Sequence, residues 1–194
     1  MRHQFIILGV LFLVGCAGSS SMPQTHTYLL RADVSAGSGE LVAPVNVGIG
    51  RVALANYLDQ SGIVLQTGPD EIRAARQHLW AEPLDSALRI YLRDAVSADL
   101  AYPVSGDSAR RQTWDYRIDV GVDQFHGSLA GDVMIDASWI IMDTSTQKEL
   151  TRHRFQQQSA QADDGYESLV ASQKELLNSF AAAIAASFTA LNTD

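Results

Sequence analysis

The only thiol in this sequence belongs to Cys16, which closes an apolar run at the N-terminus. Arg2 places a positive charge ahead of the run, and Phe5 to Val14 is apolar apart from Gly9. A charged start, an apolar stretch of roughly 7–15 residues and small residues before a cut site are typical of a secretory signal peptide. The run is too short for a membrane-spanning helix, which needs about 20 apolar residues. We therefore expect an exported chain with a signal peptide over residues 1–15.

The tetrapeptide Leu13-Val14-Gly15-Cys16 resembles a bacterial lipobox. The resemblance implies that Cys16 is lipidated, with a diacylglyceryl group on its sulfur and an acyl group on its freed amine. Two or more acyl chains make a stable membrane anchor. Ala17, rather than Asp, follows the cysteine, which implies sorting to the outer membrane and anchoring at its periplasmic face. An ordinary signal peptide with a coincidental cysteine is the alternative.

Gly48-x-Gly50-x-x-Ala53 matches the dinucleotide fingerprint G-x-G-x-x-A, and Asp70 follows about twenty residues later. The fingerprint binds a pyrophosphate only where it opens a helix. Gly62 would end such a helix within about three turns, at 3.6 residues per turn. An exported protein also has no NAD pool, so we expect no cofactor here.

Gly106-Asp107-Ser108 is similar to the nucleophile block of an esterase family. Here the block lies mid-chain, is followed by Ala109-Arg110, and has no Asp-x-x-His near the C-terminus. A polar connecting loop is the favoured interpretation, and we predict no catalytic residues. A periplasmic hydrolase that uses Ser108 with a histidine remains an alternative.

Four histidines follow the signal peptide, and no pair of them has metal-ligand spacing. They are His26, His78, His126 and His153. We therefore predict no metal site. The chain has 14 basic and 22 acidic residues and a net charge of −8. That charge disfavours nucleic acid as a partner.

The length suits a small polar tether and one domain with a sizeable core. Residues 16–27 are small and polar, so we expect a lipidated, flexible tether there and a single domain over residues 28–194. Strands are predicted where Val45, Val47 and Ile49 alternate, and at Ile63 to Leu65. A short helix is predicted from Asp70 to His78, and a longer one opens at Pro83.

The second half of the chain predicts a meander and a helix. Trp114 to Asp123 and Val133 to Ile141 alternate as strands, a loop at 126–131 joins them, and a third strand runs from Glu149 to Gln156. A three-stranded meander needs a covering element, and an amphipathic pattern from Tyr166 to Leu191 supplies a helix. The order β-β-α-α and then β-β-β-α favours an α/β (α+β) fold, with Trp114, Ile118, Val120, Trp139 and Phe180 buried between meander and helix.

Two segments carry a family resemblance. Tyr57-Leu58-Asp59, followed by Ile63-Val64 and then by residues 78–84 (His-Leu-Trp-Ala-Glu-Pro-Leu), resembles the ABC-type transport auxiliary lipoproteins. The resemblance covers essentially the whole mature chain. This sequence has Gln60, Gln66 and Leu79 where the family pattern has arginine.

The resemblance implies a three-layer sandwich with a mixed, largely antiparallel sheet covered by helices, of anticodon-binding-domain-like type. It also implies a non-enzymatic auxiliary role in intermembrane lipid transport, alongside an MCE-domain protein and its inner-membrane partner. An outer-membrane assembly lipoprotein that acts as a binding module is an alternative from a different class.

Tyr57, Leu58, Asp59 and Trp80 are the candidate partner contacts. The first three lie between two predicted strands, where we expect solvent exposure, and exposed aromatic residues favour interfaces. The partner would be the transport protein or another copy of the chain in a ring-shaped homo-oligomer. For Trp80 the alternative is a core position under the predicted helical turn.

Overall fold

A computed structural model describes residues 23–33, 45–106 and 114–191. The predicted signal peptide, the lipidation site Cys16 and the serine of the candidate nucleophile block, Ser108, lie outside these residues.

The described residues form one mixed seven-stranded sheet and two long helices. The strands are β1 (His26–Tyr28), β2 (Val47–Leu54), β3 (Gly62–Gly68), β4 (Glu71–Trp80), β5 (Tyr116–Ser128), β6 (Asp132–Asp143) and β7 (Lys148–Ala160). The helices are α1 (Leu84–Leu100) and α2 (Tyr166–Leu191). The strand order is β1-β4-β3-β5-β6-β7, and β2 also pairs with β5. The predicted α+β class, with a mixed sheet covered by helices, is confirmed and fits a three-layer sandwich.

Strand β5 joins the two halves of the sheet. Along one edge it pairs in parallel first with β2, from Tyr116 to Val122, and then with β3, at Gly127 and Ser128. Along its other edge it pairs antiparallel with β6. The register shifts between Val122 and Gln124, and such a bulge bends a strand. The candidate contact residues Tyr57, Leu58 and Asp59 lie between β2 and β3.

Helix α2 covers the meander of β5, β6 and β7. The residues of β5 and β6 that face α2 are apolar, because each of these strands buries one face and carries polar groups on the other. Phe180 is fully buried and contacts Trp139 edge-on and Phe155 at a tilt. Ile118, Val120, Trp139 and Phe180 are buried as predicted.

Helix α1 begins directly after Pro83, which occupies the N-cap position with a φ of −52°, close to the value that the proline ring fixes. The helix packs against β2 and α2. The Tyr91 hydroxyl lies 3.0 Å from the carbonyl oxygen of Lys174 and 2.7 Å from Oδ1 of Asn178, and its one proton is donated between these two acceptors. Burial raises the pKa of Tyr91 to about 12, so the hydroxyl stays protonated and links the two helices.

The short helix predicted from Asp70 to His78 is wrong, because this segment forms strand β4. It pairs antiparallel with β3 and parallel with β1. Its polar residues also suit a helix, and the two neighbouring strands override that weak local preference. The sheet also begins earlier than expected, since β1 starts at His26, inside the predicted tether.

Two further expectations are wrong. The loop predicted at 126–131 is shorter, because β5 continues to Ser128 and β6 starts at Asp132. Trp114 lies ahead of β5, where strand alternation does not fix its direction, and it is only half-buried. Its indole packs over Gly48, where an added Cβ would lie 2.2 Å from the ring.

Candidate partner-binding site

The segment between β2 and β3 is a single turn of 3-10 helix, Asn56–Leu58. The backbone N–H of Leu58 donates to the carbonyl of Ala55 at 2.9 Å, and the side-chain amide of Gln60 donates to the carbonyl of Tyr57 at 2.5 Å. These local bonds close the turn. They hold consecutive side chains in different directions, so the three candidate residues do not share one environment.

Tyr57 is half-buried and attached to β5. Its hydroxyl donates to the carbonyl of Asp123 at 3.1 Å, and its ring meets His126 edge-on with centroids 6.1 Å apart. Burial raises the pKa of Tyr57, and burial lowers the pKa of His126. The pair is therefore neutral near pH 7, with part of the tyrosine ring open to a partner.

The expectation that Leu58 is exposed is wrong, since only 1% of its surface is accessible. An apolar side chain in a short turn between two strands can pack into the core beneath the turn. Burying a leucine contributes about 1.5–3 kcal/mol to the stability of the fold. Asp59 is exposed, as expected. Tyr57 and Asp59 are thus the accessible residues of the turn, whereas the buried Leu58 fixes the turn to the core.

Trp80 is 6% exposed and occupies the core position that the sequence left as an alternative. Trp80 is the last residue of strand β4 and does not lie at a junction between two helices. The backbone N–H of Trp80 donates to the carbonyl of Ser61 at 2.7 Å, and its indole stacks against Phe125 with centroids 6.4 Å apart. Trp80 therefore supports β3 and β5 from inside the domain and has almost no area to offer a partner.

A groove of about 470 Å³ runs beside this turn. Asp59 lines it together with Asn56, the outer part of β2, and Asp85 and Arg89 of α1. The sequence did not link α1 to the Tyr57 turn, because the contact depends on α1 packing against β2 across the fold. The groove gives the turn a polar neighbour that a partner could also contact.

The sequence patterns that suggested cofactor or metal binding form no such site among the described residues. Gly48, Gly50 and Ala53 all lie within strand β2 instead of opening a helix, so the dinucleotide fingerprint has no structural basis here. Among residues 23–33, 45–106 and 114–191, no group of three or more histidine, cysteine or acidic side chains could hold a metal ion. None of the helices in those ranges is long and apolar enough to cross a bilayer.

The comparisons with known proteins agree with the fold. The model of the ABC-type transport auxiliary lipoprotein component family matches residues 28–185. The intermembrane transport lipoprotein PqiC of Escherichia coli K12 and that of Shigella flexneri are each 27% identical over 172 residues, covering 88% of both chains.

Two solved structures share the architecture. An uncharacterized protein is 25% identical, with a TM-score of 0.73 over 85% of this chain and 99% of its own. A Xanthomonas campestris protein is 15% identical, also with a TM-score of 0.73, over 87% of this chain and 97% of its own. The latter likeness shows the fold alone.

Proposed function

Because this chain belongs to the ABC-type transport auxiliary lipoprotein family, we propose that it is the outer-membrane auxiliary subunit of an MCE/ABC-type intermembrane lipid transport system. The observation that carries the proposal is the family match over residues 28–185. The similarity to two intermembrane transport lipoproteins over 88% of the chain supports it. In this role the protein is not an enzyme: it binds its partners and helps to maintain envelope integrity.

The anchor is Cys16, lipidated at sulfur and amine, with the domain on the periplasmic face of the outer membrane. The short segment after Cys16 leads to β1, which begins at His26. Ten residues of extended chain span at most about 33–36 Å. The domain would therefore stand close to the bilayer that holds it, and would reach the inner membrane only through a partner.

The partners in this proposal are an MCE-domain protein, PqiB-like, and its inner-membrane partner. A ring-shaped homo-oligomer would place several domains around the end of the transport path. Tyr57 and Asp59 form the contact surface, because both are accessible on a turn that the buried Leu58 fixes to the core. A rigid turn loses little conformational entropy on binding.

Recovery of the complex from cells tests the proposal. Full-length protein with an affinity tag after Asp194 is purified from lightly cross-linked envelopes, and the captured proteins are identified. An MCE-domain protein is the expected partner. Recovery of outer-membrane assembly factors in its place would support the alternative binding module. Ester hydrolysis that is lost in Ser108→Ala would establish the hydrolase.

A charge reversal locates the contact. Asp59→Lys should reduce recovery of the MCE-domain protein, because a reversed charge at an interface costs affinity. Asp70→Lys is the matched control, since Asp70 is also exposed but lies on the turn between β3 and β4. Equal recovery with both variants would place the interface away from the Tyr57 turn.

A further inference from the structure

Most arginines and lysines in the described residues are paired with acids. The pairs are Arg31–Glu82, Arg73–Glu71, Arg93–Asp94, Arg117–Asp119, Arg152–Glu149, Arg154–Asp136 and Lys174–Asp33. Within the same residues Arg51, Arg76, Arg89 and Lys148 take part in no ion pair. The chain has eight more acidic than basic groups. An unpaired arginine or lysine in such a chain is a position where an anion can bind.

Two of these unpaired cations lie together. Arg51 of β2 and Arg89 of α1 line the same groove of about 690 Å³. The other residues along it are Ile49, Gly50, Trp114, Arg117, Asp119, Thr144 and Gln147. Among the described residues, three arginines and one carboxylate line this groove, so their local charge is opposite in sign to that of the protein as a whole.

Asp119, the one carboxylate among the described residues that line this groove, already has partners. Asp119 accepts from Nε and Nη2 of Arg117 at 3.0 and 2.9 Å, and from the backbone N–H of Arg51 at 2.9 Å. Gly50 permits this arrangement, because a Cβ there would lie 2.3 Å from Oδ1 of Asp119. The acid thus holds Arg117 and the β2 backbone in place and leaves the guanidinium of Arg51 unpaired.

Arg89 faces the groove from the other side. It lies on α1, one turn after Asp85, yet no ion pair joins the two. Arg51 and Arg89 also line the neighbouring groove of about 470 Å³, where the acids are Asp59 and Asp85. Among the described residues, the excess of cations therefore lies on the side of the two arginines where Arg117 and Trp114 complete the lining.

We propose that this groove binds a phosphate-bearing anion between Arg51 and Arg89. Arginine presents a planar fork of N–H donors that matches the oxygens of a phosphate group, often with two parallel hydrogen bonds. A phosphate can come from a lipid headgroup or from a free anion, and both share this chemistry. The inference rests on the groove itself and does not depend on the transport role.

A ³¹P NMR titration of the full-length protein in uncharged detergent micelles tests the site. The two probes are inorganic phosphate and dihexanoyl phosphatidylglycerol. We expect line broadening of at least one probe with the native protein. In R51Q/R89Q the affinity should fall at least about tenfold, since hydrogen bonds to charged groups are stronger than those between neutral groups and both guanidinium groups are removed. Broadening by the lipid alone assigns a headgroup, and broadening by phosphate assigns a free anion.

R76Q is the matched control, because Arg76 is exposed and unpaired but lies on β4, away from the groove. It should bind as the native protein does. If R51Q/R89Q fails to fold, the single variants R51Q and R89Q carry the test, and each should bind more weakly. Binding of neither probe, or equal binding by the native protein and the arginine variants, would overturn the proposal. Partner recovery through Asp59 would be unaffected by that outcome.

Discussion

The hydroxyl of Tyr28 lies 2.9 Å from Nδ1 of His78, within hydrogen-bond distance. The His78 ring also stacks with His26, at a centroid distance of 5.1 Å, and with Tyr166, at 3.9 Å. These rings belong to β1, β4 and α2. The three-residue strand that follows the predicted tether is therefore fixed to the domain by aromatic contacts as well as by backbone pairing.

This cluster predicts a loss of stability in mild acid. Burial, and then the charge of His26, lowers the pKa of His78 below its ordinary 6.5. The unfolded chain then binds more protons than the folded one, so the free energy of unfolding falls as pH drops. The contribution of His78 is fully present above about pH 6.5 and is lost as pH falls toward its lower folded pKa. Thermal melting between pH 7.5 and 5 measures this loss.

His78→Gln is the variant for that series, because it keeps a hydrogen-bonding group beside Tyr28. The slope of melting temperature against pH should become shallower, though it should not vanish. His126 is buried, and its pKa is lowered in the same direction. An unchanged slope in His78→Gln would show that this histidine does not titrate differently in the folded and unfolded states.

Truncation of Phe180 tests the core between α2 and the meander. The side chain is fully buried against Trp139 and Phe155, so Phe180→Ala should cost about 3–5 kcal/mol in the free energy of unfolding. Ile72→Ala is the control, since Ile72 is 40% exposed and should change stability by about 0.5 kcal/mol or less. Urea denaturation compares them, and similar losses would contradict the assigned core face.

Gly48 is required by the close approach of Trp114. A Cβ at this position would overlap the indole at 2.2 Å, so Gly48→Ala should displace the ring and cost about 1–3 kcal/mol. Gly68→Ala is matched to it, because its nearest neighbour, Glu71, is 3.5 Å away. Melting temperature and tryptophan fluorescence should change only in the first variant. Identical behaviour of the two would mean that Trp114 yields without cost.

Leu58→Ala should destabilise the domain by about 2–5 kcal/mol, as for other buried leucines. This corrects the expectation, drawn from the sequence, that Leu58 is an exposed contact residue. Tyr57→Phe keeps the ring and removes one hydrogen bond, so it should cost about 0.5–1.5 kcal/mol. Chemical denaturation of both variants compares their free energies of unfolding. A smaller loss of stability in Leu58→Ala than in Tyr57→Phe would contradict the burial of Leu58.

Cys16→Ser tests the anchor. Without the thiol no diacylglyceryl group can be attached, so the chain should remain uncleaved by the lipoprotein peptidase or become soluble. Fractionation of envelopes should then find it outside the outer-membrane fraction. Outer-membrane recovery at the native level would contradict lipidation at Cys16.

The amphipathic elements could be predicted from the sequence because their apolar periods are long. Helices α1 and α2 and the two long strands around Ile118 and Trp139 each bury one continuous face, and this periodicity is visible without knowledge of neighbours. Segment 71–80 gave no such signal. Its polar residues suit a helix as well as a strand, and pairing with β1 and β3 decided the outcome.

The predicted lipidation site and the family resemblance came from local motifs, which need no tertiary contact to be recognised. The burial of Leu58 and Trp80, the Tyr57–His126 contact and the placement of Arg51 and Arg89 along one groove depend on β2, β5 and α1 coming together. Those contacts join residues that are distant in the chain, and their spacing in the sequence carries no periodic signal. Sequence therefore determined the class of protein and its main elements, whereas tertiary packing alone decided which side chains are accessible to a partner.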